Sequence, residues 1–179
     1  TNAYDFVIQG EGLDPGAGVL GHDGIGTDTR FIDRTDIQAN RFMAPGDLRI
    51  TELHAKVVAG AANFVCAVYS DNNGLADRLL GSSAPVANAT NGWNAFTLTS
   101  PLNLTGGDFY WLAIWSDTEG AVLQEDGGGT ERFYYGVYSY ADLGGQWPDP
   151  ITLVPNPGEA RTYCIYAEGT PLVQAPGAA

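Results

Sequence analysis

The sequence holds few of the residues on which catalytic sites are usually built. Its 179 residues include two histidines, His22 and His54, and no Gly-x-Ser-x-Gly motif. Hydrolysis needs a nucleophile beside a base, or two carboxylates held over one bond. A carboxylate pair stays open, because 21 acidic residues offer many pairings. The scarcity of the other groups predicts a protein that is not an enzyme.

Basic residues are scarce too, and Lys56 is the one lysine. Eight Lys and Arg residues stand against 21 acidic ones, which gives a net charge of −13. Nucleic-acid binding needs cations that neutralise phosphates, and anionic membranes repel so acidic a surface. No apolar stretch approaches the ~20 residues of a membrane-spanning helix. We therefore predict no nucleic-acid partner and no membrane insertion, and the composition fits an extracellular, cell-surface or virion-surface protein.

Cysteine occurs twice, as Cys66 and Cys164, each in a β-rich setting. Buried thiols pack as small hydrophobes in a β core. A disulfide between neighbouring strands is the alternative and would fit an oxidising compartment. Two cysteines alone do not make a metal site.

Residue patterns typical of β-strands and turns are abundant in the sequence. With 24 glycines and 10 prolines, the composition favours many turns and few helices. Runs rich in β-branched and aromatic residues predict strands at 4–9, 38–43, 47–58, 62–69, 93–99, 108–116, 132–140 and 161–167. This spacing predicts an all-β antiparallel sandwich, jelly-roll-like, of about eight or nine strands. A single domain would cover residues 1–170, and residues 171–179 would form a tail.

Some segments carry finer signals. Alternation in 47–58 slips by one residue near Thr51, which predicts a β-bulge. Residues 108–116 are apolar on both faces, which predicts a central strand. We expect loops at 10–30 and 101–107, and a short helical turn at 75–81.

The turn after residue 70 offers oxygen ligands in Asp71 and Asn73. Calcium binds carboxylate and amide oxygens of this kind, typically on loops. Asn and Asp also stabilise a plain hairpin turn without any ion. The simple turn is the preferred interpretation, and calcium is the cofactor that these residues could hold.

Aromatic residues are the best candidates for ligand binding. Trp147 lies in a predicted loop, and Tyr134, Tyr135, Tyr138 and Tyr140 lie in one predicted strand. A tyrosine-rich strand carries rings on both faces, and exposed rings usually mark a contact surface. The other three tryptophans are expected in or near the core: Trp93, Trp111 and Trp115.

Residues 40–116 carry an ordered set of structural motifs: Asn40-Arg41-Phe42, Ile50-Thr51-Glu52-Leu53, Ala67-Val68-Tyr69-Ser70-Asp71-Asn72-Asn73-Gly74, Leu79-Leu80, Gly92-Trp93-Asn94 and Tyr110-Trp111-Leu112-Ala113-Ile114. This order resembles a loosely defined group of extracellular β-sandwich modules of the choice-of-anchor type. Such modules occur in microbial surface proteins, beside secreted hydrolases and in phage-tail-like proteins. The resemblance implies a jelly-roll-like sandwich with an attachment or assembly role, and it carries over no catalytic residue.

Two functions follow as hypotheses. The first is a structural or attachment subunit that acts through surface contacts with copies of itself or with a surface or particle protein. Its end segments, 4–9 and 171–179, could add a strand to a neighbour. The second is a carbohydrate-binding module of a secreted polysaccharide-degrading system, in which Trp147 and the tyrosines would hold a polysaccharide.

Overall fold

The structure is a computed structural model that describes residues 18–32, 34–58, 63–87, 89–118, 120–126, 134–152, 154–155 and 161–172. Within these ranges the chain forms thirteen strands: β1 Gly18–Gly21, β2 Asp28–Ile32, β3 Asp36–Met43, β4 Leu48–Val58, β5 Phe64–Asn72, β6 Leu75–Ser82, β7 Gly92–Leu104, β8 Phe109–Ser116, β9 Gly120–Asp126, β10 Tyr134–Val137, β11 Val154–Pro155, β12 Arg161–Tyr163 and β13 Ile165–Pro171. The described part of the chain contains no helix that could cross a membrane.

The strands form two antiparallel sheets. Sheet A has the order β1-β13-β4-β9-β12, with β2 paired to β9 and β7 paired to β4. Sheet B has the order β11-β10-β3-β8-β5-β6. The predicted all-β sandwich is confirmed. The predicted number of strands is too low, because β1, β2, β6, β9 and β11 are short or carry weak alternation.

The main core lies between the two sheets. It takes alternate residues from each strand, such as Leu53 and Phe96 of sheet A and Cys66 and Leu112 of sheet B. Asn40 adds a polar tie across the core, because its side chain donates to the Arg161 carbonyl at 2.9 Å. Its amide oxygen also accepts the Tyr163 backbone N–H at 2.7 Å.

Two of the finer predictions are confirmed. The register of β4 against β7 shifts between Ile50 and Glu52, where the alternation slips. Strand β8 lies between β3 and β5. Its residues are buried on both faces from Tyr110 onward, as a central strand requires.

Three local predictions are wrong. Residues 75–81 belong to β6, because Asn73 and Gly74 both take positive φ and reverse the chain directly onto β5. Strand β7 continues past Pro101 to Leu104, since Leu104 pairs with Leu48 and is buried. The loop expected at 10–30 contains β1 and the start of β2. The strand predicted at 4–9 and the end of the tail lie outside the described residues.

A second apolar cluster covers the outer face of sheet B. The segment 138–152, which we name the strap, crosses this face and contributes Trp147 and Ile151. The sheet contributes large side chains and a row of alanines, among them Ile37, Ala39, Val65, Ala67, Tyr69, Trp111, Ala113 and Trp115. Trp111 and Trp115 are fully buried, which confirms their predicted place in the core.

Candidate functional site

Trp147 is not the exposed ring that its predicted loop position suggests. Only 9% of the residue is exposed. Its ring packs against Trp115, with centroids 5.6 Å apart, and meets Tyr69 edge-on at 6.1 Å. The expectation of exposure is wrong because the strap lies flat on sheet B and turns this ring inward.

The tyrosines do not form one strand. Tyr134 and Tyr135 lie in β10 and pair with β3, and their side chains are outside the described part of the structure. Tyr138 and Tyr140 lie beyond the end of β10, in the strap. Both rings are half-buried against the sheet-B cluster. They therefore fix the strap, which corrects the expectation of a two-faced tyrosine strand.

The Asp71 carboxylate is already occupied by protein donors. Arg41 donates to both of its oxygens, at 2.6 and 2.8 Å, and Trp111 Nε1 donates at 2.9 Å. The backbone N–H of Gly74 donates to the same carboxylate, which closes the turn. Burial alone would raise the pKa of Asp71, but these hydrogen bonds and the Arg41 charge lower it. Asp71 and Asn73 thus fit a hairpin turn that holds an ion pair better than they fit a calcium site.

Cys66 and Cys164 are both buried thiols. Cys66 lies in β5 of sheet B, whereas Cys164 lies between β12 and β13 in sheet A. The disulfide alternative requires neighbouring strands and is wrong for that reason. Burial raises the pKa of the Cys66 thiol, which makes it a poor nucleophile.

A group of neighbouring aromatic side chains is exposed on the outer face of sheet A. Trp93 on β7 is 37% exposed and stands edge-on to Tyr166 of β13, with ring centroids 5.0 Å apart. Tyr166 in turn stacks on His54 of β4 at 4.7 Å and 11°. We name these three side chains the platform. The prediction that Trp93 lies in or near the core is wrong.

Sheet register brings the platform together. On β4, His54 lies opposite Tyr166 on one side and Ala95 on the other. Lys56, the next outward residue of β4, lies opposite Trp93. The small side chain of Ala95 leaves room between the larger ones. The three rings therefore come from three adjacent strands at neighbouring positions.

Two local features fix the platform in place. The Asn94 side chain exchanges hydrogen bonds with Thr90 and also donates to the Gly92 carbonyl, which holds the turn before Trp93. Gly21 passes across Tyr166 with φ +124°, and a Cβ there would lie 2.6 Å from the Tyr166 Cα. Only glycine combines this backbone conformation with so close an approach.

Carboxylates surround the platform. Burial raises the pKa of Tyr166, and the charges of Glu168, Asp23 and Glu52 raise it further. Glu52 lies 3.1 Å from His54 Nε2 and accepts a hydrogen bond from Thr97 at 3.3 Å.

The segment after β1 forms the rim of the platform. Lys56 donates to the Ile25 carbonyl at 2.7 Å, which ties residues 22–27 to β4. The Ile25 side chain is 79% exposed beside it. The platform thus combines an open aromatic surface with hydrogen-bonding groups at its edge, the combination that ligand sites use for contact area and orientation.

The sequence carries a signal for this surface. In 93–99, period-two alternation places Trp93 in the outward phase with Thr97, opposite the inward Phe96 and Leu98. A tryptophan in the polar phase of an alternating strand indicates an exposed ring. The pairing with Tyr166 and His54 has no sequence signal, because it depends on which strands become neighbours.

Among the described residues, no group of three or more His, Cys, Asp or Glu side chains has the geometry to hold a metal ion. No protein-family model matches the chain. No curated protein matches it either.

Solved structures that share the fold include two of Cwp84. One is the clostridial cysteine protease Cwp84 after propeptide cleavage, with a TM-score of 0.62, 12% identity and 89% of this chain covered. The other contains the cysteine protease and lectin-like domains of Cwp84, a surface layer associated protein of Clostridium difficile, with a TM-score of 0.63, 10% identity and 89% covered. The match takes in 41% and 37% of those chains, so this chain spans about two fifths of their length. At such identity the likeness shows the fold alone.

Proposed function

We propose that the chain is a non-catalytic, extracellular carbohydrate-binding module that attaches the protein or particle carrying it to a polysaccharide. The observation that carries the proposal is the open platform, where Trp93 stands exposed beside Tyr166 and His54. The apolar face of a sugar ring stacks on such rings while its hydroxyls bond to groups at the edge.

Two further points support the proposal. One of the two Cwp84 structures with this fold contains a lectin-like domain, and Cwp84 is a surface layer associated protein. The described residues also leave the platform uncovered, whereas the strap covers the other outer face. The hypothesis of a self-assembling subunit depends on 4–9 and 171–179, which lie almost wholly outside the described residues, and it stays a prediction.

The test is retention of the protein on insoluble polysaccharides. We expect Trp93→Ala to weaken retention at least about tenfold, because a central aromatic contact contributes on the order of 2 kcal/mol to binding. The matched control is Phe109→Ala on sheet B, since Phe109 is 38% exposed and lies away from the platform. Thermal melting of both variants separates lost binding from lost folding.

Retention that survives Trp93→Ala, or that Phe109→Ala reduces equally, would contradict the platform as the binding site. A panel of neutral, cationic and acidic polysaccharides that all fail to retain the native protein would contradict the function itself.

A further inference from the structure

The charge around the platform narrows the class of sugar that it fits. Burial raises the pKa of Tyr166, and the charges of three carboxylates from different elements, Glu168, Asp23 and Glu52, raise it further. Asp23 follows β1, Glu52 lies on β4 and Glu168 lies on β13. Glu52 and Glu168 are direct partners in the β4–β13 register, so two of the charges lie side by side.

Two basic side chains of β4 lie at this charge: His54 Nε2 is 3.1 Å from the Glu52 carboxylate, and Lys56 lies opposite Trp93. Lys56 is the ammonium group there, and it already donates to the Ile25 carbonyl. Arg49 lies further along β4, beyond the bulge at Ile50 and Glu52. Like charges placed side by side on a sheet face destabilise each other unless a cation joins them. His54 contacts Glu52 from one side, and Glu168 lies beside Glu52 as a second carboxylate, so a positively charged ligand is favoured between the two carboxylates.

The aromatic rings also favour a positively charged ligand. A ligand ammonium over the face of a tryptophan or tyrosine ring is attracted by the ring quadrupole, most strongly over tryptophan. An ammonium held between such a ring and a carboxylate gains both interactions. A uronic acid or sulfated sugar would meet three carboxylates in a protein of net charge −13 and would be repelled.

We propose that the platform selects polysaccharides of hexosamines with free amino groups, whose ammonium groups meet Glu52 and Glu168 while the sugar ring stacks on Trp93. This proposal rests on the proposed function and adds the substrate class to it. Neutral polymers would keep the stacking contact and lose the charge contact. N-acetylation removes the ammonium from an otherwise identical polymer, which makes the acetylated form the matched ligand.

The experiment compares binding to a glucosamine polymer and to the same polymer after full N-acetylation, at about pH 5.5–6, where carboxylates are ionised and amines are charged. We expect the native protein to prefer the free-amine polymer at least about tenfold. The preference should fall several-fold as salt rises from about 0.05 M to about 0.5 M, because exposed charges are screened.

The double variant Glu52→Gln/Glu168→Gln keeps the shape of the side chains and removes two charges. We expect it to reduce the preference ratio about tenfold. Asp142→Asn is the control, since this exposed carboxylate lies on the strap at the opposite face. It should leave the ratio unchanged although it also alters the net charge.

The outcomes separate the two proposals. Equal binding to both polymers, with loss on Trp93→Ala, would overturn the amino-sugar preference and leave the carbohydrate-binding function standing. Stronger binding to a polyuronate would do the same. No binding to any of these polymers would overturn both.

Discussion

The two outer faces of the sandwich carry similar aromatic residues and put them to opposite uses. On sheet B, Trp147 is folded down by the strap onto Trp115 and Tyr69. On sheet A, Trp93 stands open beside Tyr166. Both faces contain aromatic side chains, and they differ because the strap covers those of sheet B. An aromatic residue is therefore a candidate ligand contact only where no part of the chain covers it.

Trp147→Ala should have the largest effect on stability, because it removes the main contact of the covered face. The ring fills the space above the alanine row of sheet B, and its removal leaves a cavity between strap and sheet. Replacing a buried tryptophan by alanine costs about 3–5 kcal/mol. Chemical denaturation should show this loss of unfolding free energy.

Trp147→Phe is the matched control. The indole Nε1 is buried and has no hydrogen-bond partner among the described residues, so phenylalanine removes no hydrogen bond. We expect the variant to cost about 1–2 kcal/mol. A Trp147→Ala variant as stable as the native protein would show that the strap does not pack as described.

The sequence predicts the sandwich well because most strands can be recognised from the pattern of apolar residues within the strand itself. Residues 108–116 are apolar on both faces, and their strand is central. The slip near Thr51 appears as a register shift in β4. Strand β1 is four residues long and has a glycine at each end, and the apolar residues of β6 do not alternate, so the sequence does not reveal either as a strand.

The candidate site is predicted less well, because it depends on contacts between distant segments. Trp147 is followed by Pro148, which suggests a surface loop, and nothing local shows that the loop returns to Tyr69. The outward phase of Trp93 can be read from alternation. Its neighbour Tyr166 is 73 residues away in sequence, and only the strand order brings the two together.

Removing an ion pair should also cost more unfolding free energy on the covered face than on the open face. Asp71 on sheet B is 11% exposed and accepts bonds from Arg41 and Trp111. Glu52 on sheet A is 36% exposed beside His54. Asp71→Asn should cost about 1–3 kcal/mol of unfolding free energy, because it weakens charged, buried hydrogen bonds. Glu52→Gln should change stability by no more than about 0.5 kcal/mol.

Acid should remove the contribution of the Asp71 ion pair to stability. The pKa of Asp71 is lowered in the folded state, so the folded protein binds fewer protons than the unfolded chain below about pH 4. The stability that Asp71 contributes is thus present above about pH 4 and is lost as pH falls through its folded pKa. The gap between native protein and Asp71→Asn should shrink in that range. A gap that stays constant down to about pH 2 would argue against the ion pair.

The smallest expected changes in unfolding free energy come from removing one tyrosine hydroxyl on each face. The Tyr138 hydroxyl accepts the Thr152 N–H at 2.8 Å and lies 3.2 Å from the Thr152 carbonyl, so it closes the two ends of the strap on each other. Tyr138→Phe should cost about 0.5–1.5 kcal/mol of unfolding free energy. Tyr166→Phe on the open face keeps the ring contacts with His54 and Trp93 and should stay within about 0.5 kcal/mol of the native protein. Urea unfolding of both variants measures how much the Tyr138 hydroxyl adds to the packing of Trp147 and Ile151 in holding the strap. Equal stability of both variants would show that packing, and not this hydroxyl, holds the strap on sheet B.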